Sequence, residues 1–128
     1  MIIGIGIDSI ELDRIESVYK NFPERFLHRI YADSEQAYFK RWADPIPRLA
    51  GRFAVKEACM KALGTGWSSG VRWRDIEVGR HPSGKPELIL HGRAREIFEK
   101  MGGESALCTI THSRDHAMAV VIFEAKDR

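Results

Sequence analysis

Cysteine is scarce in this 128-residue chain, and its two copies, Cys59 and Cys108, form no CxxC pair. That excludes a disulfide framework or a cysteine-based zinc site as the source of stability. Both thiols sit in apolar surroundings and are predicted to be buried, in a reducing compartment. Long apolar runs are also missing. The run from Ile2 to Ile7 is stopped by Asp8. It is too short for a membrane span and lacks the basic flank of a signal peptide. No later run reaches the required length, so the cytoplasm is the expected location and no membrane partner is expected. Charge of one sign is lacking as well: a net charge of +2 gives no ground for nucleic-acid binding. Repeats, low-complexity runs and linkers are absent. With 44% hydrophobic and 30% charged residues, the chain has the make-up of one globular domain, residues 1–128, whose core needs no staples.

The stretch from Arg52 to Gly66 organises the rest. Pro47 suits a helix start and Gly64 the residue just past a helix end, so a long central helix is predicted around 47–63. Val55, Ala58, Cys59 and Ala62 share the face expected to meet the core. Glu57 and Lys61, four apart, project side by side from roughly the opposite face. Ala50 and Ala54 are small and are expected to leave room there for a ligand. Arg52 and Lys56 are like charges one turn apart, which an adjacent anion would relieve. The plainer alternative is a solvated Glu57–Lys61 surface pair.

Around this helix, Ile2–Ile7 reads as a strand. Its Gly4 and Gly6 permit close backbone approach, and Asp8 stands at its end. Asp8 and Glu11 resemble a capping box for a helix carrying Ile15 and Val18. Pro23 opens a helix through Ile30, and Asp33 is placed to cap another that carries Tyr38 and Phe39. A strand is expected within Val71–Val78, a turn over Gly79–Pro86 and a returning strand from Glu87 to Leu90. A helix with Ala94, Ile97 and Phe98 ends at Gly102-Gly103. A hairpin closes the chain, with Ala106–Thr111 and Ala117–Phe123 as its strands and His112 in its turn. The pattern predicts an α+β fold with a largely antiparallel sheet packed against helices.

Two motifs mislead. Gly79 to Lys85 matches GxxxxGK, but Pro86 stands where a phosphate-binding loop needs Ser or Thr, and a strand follows instead of a helix. His112 and His116 are four apart, but outside a helix that spacing does not aim both at one zinc ion. The set that points to chemistry is Asp8, Glu57, Lys61 and His112. Mg²⁺ is typically held by one or two carboxylates plus substrate phosphates and water. Asp8 and Glu57 can supply those carboxylates if strand and helix pack together, and Lys61 can reach the same phosphates. Gly64-Thr65-Gly66 is either a helix cap or a place where substrate passes close to backbone. His112 is either a solvated loop residue or a phosphate donor.

Ile5-Gly6-Ile7-Asp8 with Arg14-Ile15, Ala50 to Ala58, Lys61 to Gly66, Asp75 to Val78, Gly84-Lys85-Pro86 and Thr111-His112-Ser113 together resemble the holo-acyl-carrier-protein synthase family, in order and over nearly the whole chain. Trp67-Ser68-Ser69 and the Asp44–Pro47 turn depart from the family pattern, at the edge of the expected pocket. The resemblance implies an enzyme of fatty acid biosynthesis. It would move the phosphopantetheine of coenzyme A onto a serine of apo-acyl carrier protein and release adenosine 3′,5′-bisphosphate. It implies Mg²⁺, with Mn²⁺ as a substitute, on Asp8 and Glu57, and Lys61 at the leaving charge. Arg52, Gly64, Gly66 and His112 would contact coenzyme A, and Arg14, Arg25 and Arg29 would dock the acidic carrier. It further implies a homotrimer with sites between subunits. The proton acceptor is a metal-bound water, Asp8 or Glu57, and the sequence leaves these open. Another Mg²⁺-dependent phosphoryl or nucleotidyl transferase, or a non-catalytic module binding an acidic protein, is the alternative.

Overall fold

The computed structural model describes residues 1–65 and 69–126. Strand β1 (Ile2–Glu11) leads into helices α1 (Leu12–Asn21), α2 (Pro23–Ile30), α3 (Asp33–Phe39) and α4 (Ile46–Leu63). A 3-10 turn (Trp73–Asp75) precedes the hairpin β2 (Ile76–Arg80) and β3 (Pro86–Leu90). Helix α5 (Gly92–Lys100) and the hairpin β4 (Ser105–His112) and β5 (His116–Glu124) complete the chain. The fold is α+β, as predicted. The strands form two antiparallel sheets rather than one: β1-β5-β4 and β2-β3. Among the described residues, no helix is long and apolar enough to cross a membrane.

Helix α4 lies across the three-stranded sheet. Pro47 falls in its first turn, and Gly64 ends it at φ 75°, a left-handed conformation that glycine adopts without a Cβ clash. The contact with β1 is unusually close and depends on two glycines. A Cβ at Gly6 would lie 1.9 Å from the Ala58 carbonyl oxygen, and one at Gly4 would lie 2.9 Å from that of Ala62. At the other edge of the sheet, a Cβ on Gly51 would fall 2.8 Å from the Ile110 side chain. Val55, Ala58, Cys59 and Ala62 are buried as expected.

The wheel argument fails elsewhere on this helix. Ala50 and Ala54 are fully buried in the core and leave no ligand space, because the other helices and the second sheet cover that flank. Lys56 faces no external anion. It is fully buried and donates to Glu35 Oε1 at 2.8 Å, to the Trp73 carbonyl at 3.3 Å and to the Ile76 carbonyl. Burial lowers the Lys56 pKa and raises that of Glu35, and their mutual attraction opposes both shifts. One buried residue thereby ties α4 to α3 and to the second sheet.

Other boundaries moved. β1 runs on to Glu11, so Asp8 lies inside the strand, and no capping box forms with Glu11. The antiparallel pairing with β5 extends that far and overrides the local cap. Asp33 caps nothing. It is the first residue of α3 and accepts from Arg74 at 2.8 Å, while Glu35 reaches back to the Ala32 N–H at 3.0 Å. The strand expected within Val71–Val78 starts at Ile76, after the 3-10 turn, and runs on to Arg80. His112 closes β4 instead of sitting in the turn. Cys59 is buried, Cys108 only partly so, and both are free thiols.

Gly6→Ala is expected to lower unfolding stability by about 3 kcal/mol, at the upper end of overpacking costs because backbone blocks the new methyl. A denaturant midpoint equal to that of the parent would contradict this. Lys56→Met should cost about 3–5 kcal/mol by stranding Glu35. Adding Glu35→Leu should recover most of that loss, and a double-mutant cycle with no coupling would count against the buried pair.

Candidate active site

The glycine-permitted contact decides which side chains meet. Asp8 pairs with Ala119 and so points to the inner face of the sheet, toward α4. Ala58 and Ala62 press on the strand, so their neighbours Glu57 and Lys61 flank it. Lys61 Nζ donates to Asp8 Oδ1 at 2.7 Å and to the Ile7 carbonyl at 3.0 Å. The Glu57 carboxyl lies close enough to that of Asp8 for the two to perturb one another. Partial burial and then the Asp8 carboxyl push the Glu57 pKa up to about 7, while Lys61 and Arg14 pull the other way. Two carboxyl groups thus share one place beside a partly exposed lysine.

The donor set fits a hard divalent cation. It offers two carboxylates, with Lys61 in place of a third oxygen ligand, and among the described residues no cluster of three or more His, Cys, Asp or Glu side chains exists. Magnesium accepts such a set because it keeps waters and substrate oxygens. Zinc sites draw on three or four protein ligands.

Arg52 and His112 lie elsewhere. They line a cavity of about 250 Å³ with Arg48, Arg80, Gly84 and Ile110. Arg52 is 6% exposed, and its Nε has no hydrogen-bond partner. Asp8, Ala119 and Ile110 form one row across the sheet. The acid pair and the basic cavity therefore stand at opposite edges, roughly 10 Å apart by strand spacing, with α4 between them. Sequence reasoning missed Arg48, Arg80 and Tyr38 in this cavity. The available signal was the four-residue spacing of Arg48 and Arg52, which puts two cations on one face of α4, and the aromatics Tyr38 and Trp42 just before it.

Gly64 is exposed, and a Cβ there would meet nothing within 4 Å, so the end of α4 is open. Gly66 and Trp67 lie outside the described residues. Arg14, Arg25 and Arg29 are exposed on α1 and α2, with no carboxylate in ion-pair range among the described residues. Arg25 packs over the exposed Phe22 ring at 5.8 Å.

Comparison with known proteins places the chain in a family. The model of the 4′-phosphopantetheinyl transferase superfamily matches residues 4–121. A holo-[acyl-carrier-protein] synthase from Koribacter versatilis is 45% identical over 97% of this chain and 99% of its own. One from Nitratidesulfovibrio vulgaris is 50% identical over 98% and 100%. Among solved structures, the synthase from Neisseria meningitidis superposes with a TM-score of 0.88 at 35% identity, covering 97% of this chain and 99% of that one. The Helicobacter pylori synthase in complex with coenzyme A gives 0.82 at 34%, covering 94% and 99%. By sequence and by fold, the chain belongs to the 4′-phosphopantetheinyl transferase superfamily.

Proposed function

We propose that this chain is a holo-acyl-carrier-protein synthase, which transfers the 4′-phosphopantetheine of coenzyme A to a serine of apo-acyl carrier protein. The observation that carries the reading is the meeting of Asp8, Glu57 and Lys61, from segments far apart in the chain, in a fold shared with synthases solved with coenzyme A. In the reaction the serine oxygen bonds to the phosphorus nearer the pantetheine. The bridging P–O bond breaks, its electron pair stays on adenosine 3′,5′-bisphosphate, and the serine proton is lost to the carboxylate centre. Such transfers need little beyond positioning and charge neutralisation. Mg²⁺ or Mn²⁺, held by Asp8 and Glu57, would supply a Lewis acid for the diphosphate. Lys61 keeps an ammonium group at the rim, where it can face the charge that grows on the leaving oxygen. Arg52 and His112, with Arg48 and Arg80, form the cationic wall assigned to the nucleotide phosphates, and the open end of α4 at Gly64 lets the donor approach backbone.

The same reading includes a homotrimer with sites between subunits. The resemblance supplies the number three. Two features of the fold support assembly. The acid pair and basic cavity sit on opposite edges of one sheet, so a neighbour could complete each site. The outer face of that sheet carries Ile5 (64% exposed), Ile7 (55%), Leu107 (44%) and Met118 (41%), an apolar surface of the kind that marks contact sites. The acidic carrier protein would dock on Arg14, Arg25 and Arg29, of which Arg14 is close enough to act on Glu57. A cytoplasmic location goes with two free thiols.

Mass spectrometry of the chain mixed with coenzyme A, Mg²⁺ and an apo-carrier should find one phosphopantetheine added. Glu57→Ala should reduce turnover by about 10³-fold or more, the scale of losing a charge-stabilising group, while the circular dichroism spectrum is kept. Unaltered turnover would remove Glu57 from the centre. Cation binding should compete with the proton near pH 7. The Glu57 pKa is raised on folding, so its stabilising contribution to the metal-free protein is full below about pH 4.5 and is lost as pH rises through about 7. Mg²⁺ affinity should move oppositely, tightening across pH 6–8 with proton release. Calorimetry in two buffers of different ionisation enthalpy reads this directly, and an affinity flat across that range would contradict a shared proton.

A further inference from the structure

The three arginines of the basic cavity are held by aromatic rings rather than by carboxylates. Tyr38 and Phe39 end α3, and Trp42 follows on the same side. The Arg48 guanidinium stands 3.2 Å from the centre of the Trp42 ring. That of Arg52 is 4.2 Å from the Tyr38 ring and 5.6 Å from Phe39. That of Arg80 is 4.9 Å from Tyr38. Tyr38 and Trp42 meet edge to face at 6.2 Å. Burial would raise the Tyr38 pKa, but a hydrogen bond from Arg48 and the charges of Arg52 and Arg80 bring it below its usual value. None of these arginines has a carboxylate in ion-pair range among the described residues.

Three like charges converging on one cavity repel. A carboxylate would hold them at the cost of cancelling the field that a ligand would use. Ring faces attract guanidinium groups through their quadrupoles and leave the net charge intact. The aromatic rack therefore keeps three cations ordered without a carboxylate ion pair. A diphosphate ester carries one charge per phosphate, whereas a terminal phosphate monoester carries about two near neutral pH and offers three oxygens to planar N–H forks. Three guanidiniums suit the monoester.

We propose that Tyr38, with Trp42 beside it, is the positioning residue that makes this enzyme prefer a nucleotide bearing a terminal phosphate monoester over one without it. The inference rests on coenzyme A being the donor, whose 3′-phosphate is such a monoester. Tyr38 acts through Arg48, Arg52 and Arg80 and takes no part in bond making.

The test compares coenzyme A with 3′-dephospho-coenzyme A as donors, at saturating apo-carrier, in the parent, Tyr38→Leu and Tyr38→Phe proteins. In the parent, KM for the dephospho donor should exceed that for coenzyme A by about tenfold or more. Tyr38→Leu should raise KM for coenzyme A about tenfold, hold kcat within about twofold and leave the dephospho donor unmoved, so the preference collapses. Tyr38→Phe keeps the ring and should keep most of the preference. A parallel titration with adenosine 3′,5′-bisphosphate and adenosine 5′-monophosphate reads the same preference without turnover, so it holds even if transfer from coenzyme A fails. A parent protein that binds both nucleotides equally overturns the inference and leaves the transferase reading standing. Equal losses for both donors in Tyr38→Leu, or a fall in kcat with KM unmoved, also overturn it. Should that variant not fold, Trp42→Leu, at an exposed position, should show a loss of about threefold in the same direction, and no change there overturns the proposal.

Discussion

The centre of this molecule depends on the closeness of α4 to β1. Side-chain layers normally hold a helix about 10 Å from a sheet. Here Gly4 and Gly6 remove the layer, and the helix backbone rests on the strand. The gain is positional. Glu57 and Lys61 are brought beside Asp8, so short side chains reach one another across two secondary-structure elements. Any residue larger than glycine at position 6 would push the helix backbone off the strand and draw the acid pair apart.

Of the five charged residues of α4, the last four each have a different surrounding. Arg52 stacks on the Tyr38 ring. Lys56 is fully buried and spends its three donors on Glu35 and two backbone carbonyls. Glu57 lies beside Asp8, and Lys61 reaches the same aspartate from the exposed side. These roles follow from helix geometry. Positions 52, 56 and 57 point toward α3, the second sheet and β1, and Lys61 joins β1 from the solvent side.

Much of this was legible in the sequence. The turn of α2 at Pro23, the end of α4 at Gly64 and the glycines of β1 all follow from backbone chemistry that a single residue reveals. So does the Asp8–Glu57 meeting, once the motif resemblance is added. What misled were features set by tertiary neighbours. A wheel assumes one buried face, but 13 of the 18 residues of α4 are buried, so Ala50 and Ala54 carried no information about open space. The partner of Lys56 is Glu35, far away in the chain, and nothing local distinguishes it from the other acids. Asp8 and His112 were set one element boundary off because strand pairing across the sheet lengthens β1 and β4 beyond their hydrophobic alternation. Sequence reasoning places Tyr38 only on a helix and does not single out Trp42, since their contact with cations exists only after α3 folds over α4.

The alternation along β1 has an evolutionary side. Gly4, Gly6 and Asp8 face inward, where a helix and a charged centre accept no substitute, while Ile5 and Ile7 form an apolar outer surface. No residue between positions 4 and 8 is therefore a spectator. Neutral drift, which relies on sites with slack, has little to work on in this strand, and new specificities in such a chain would have to arise in its loops and early helices.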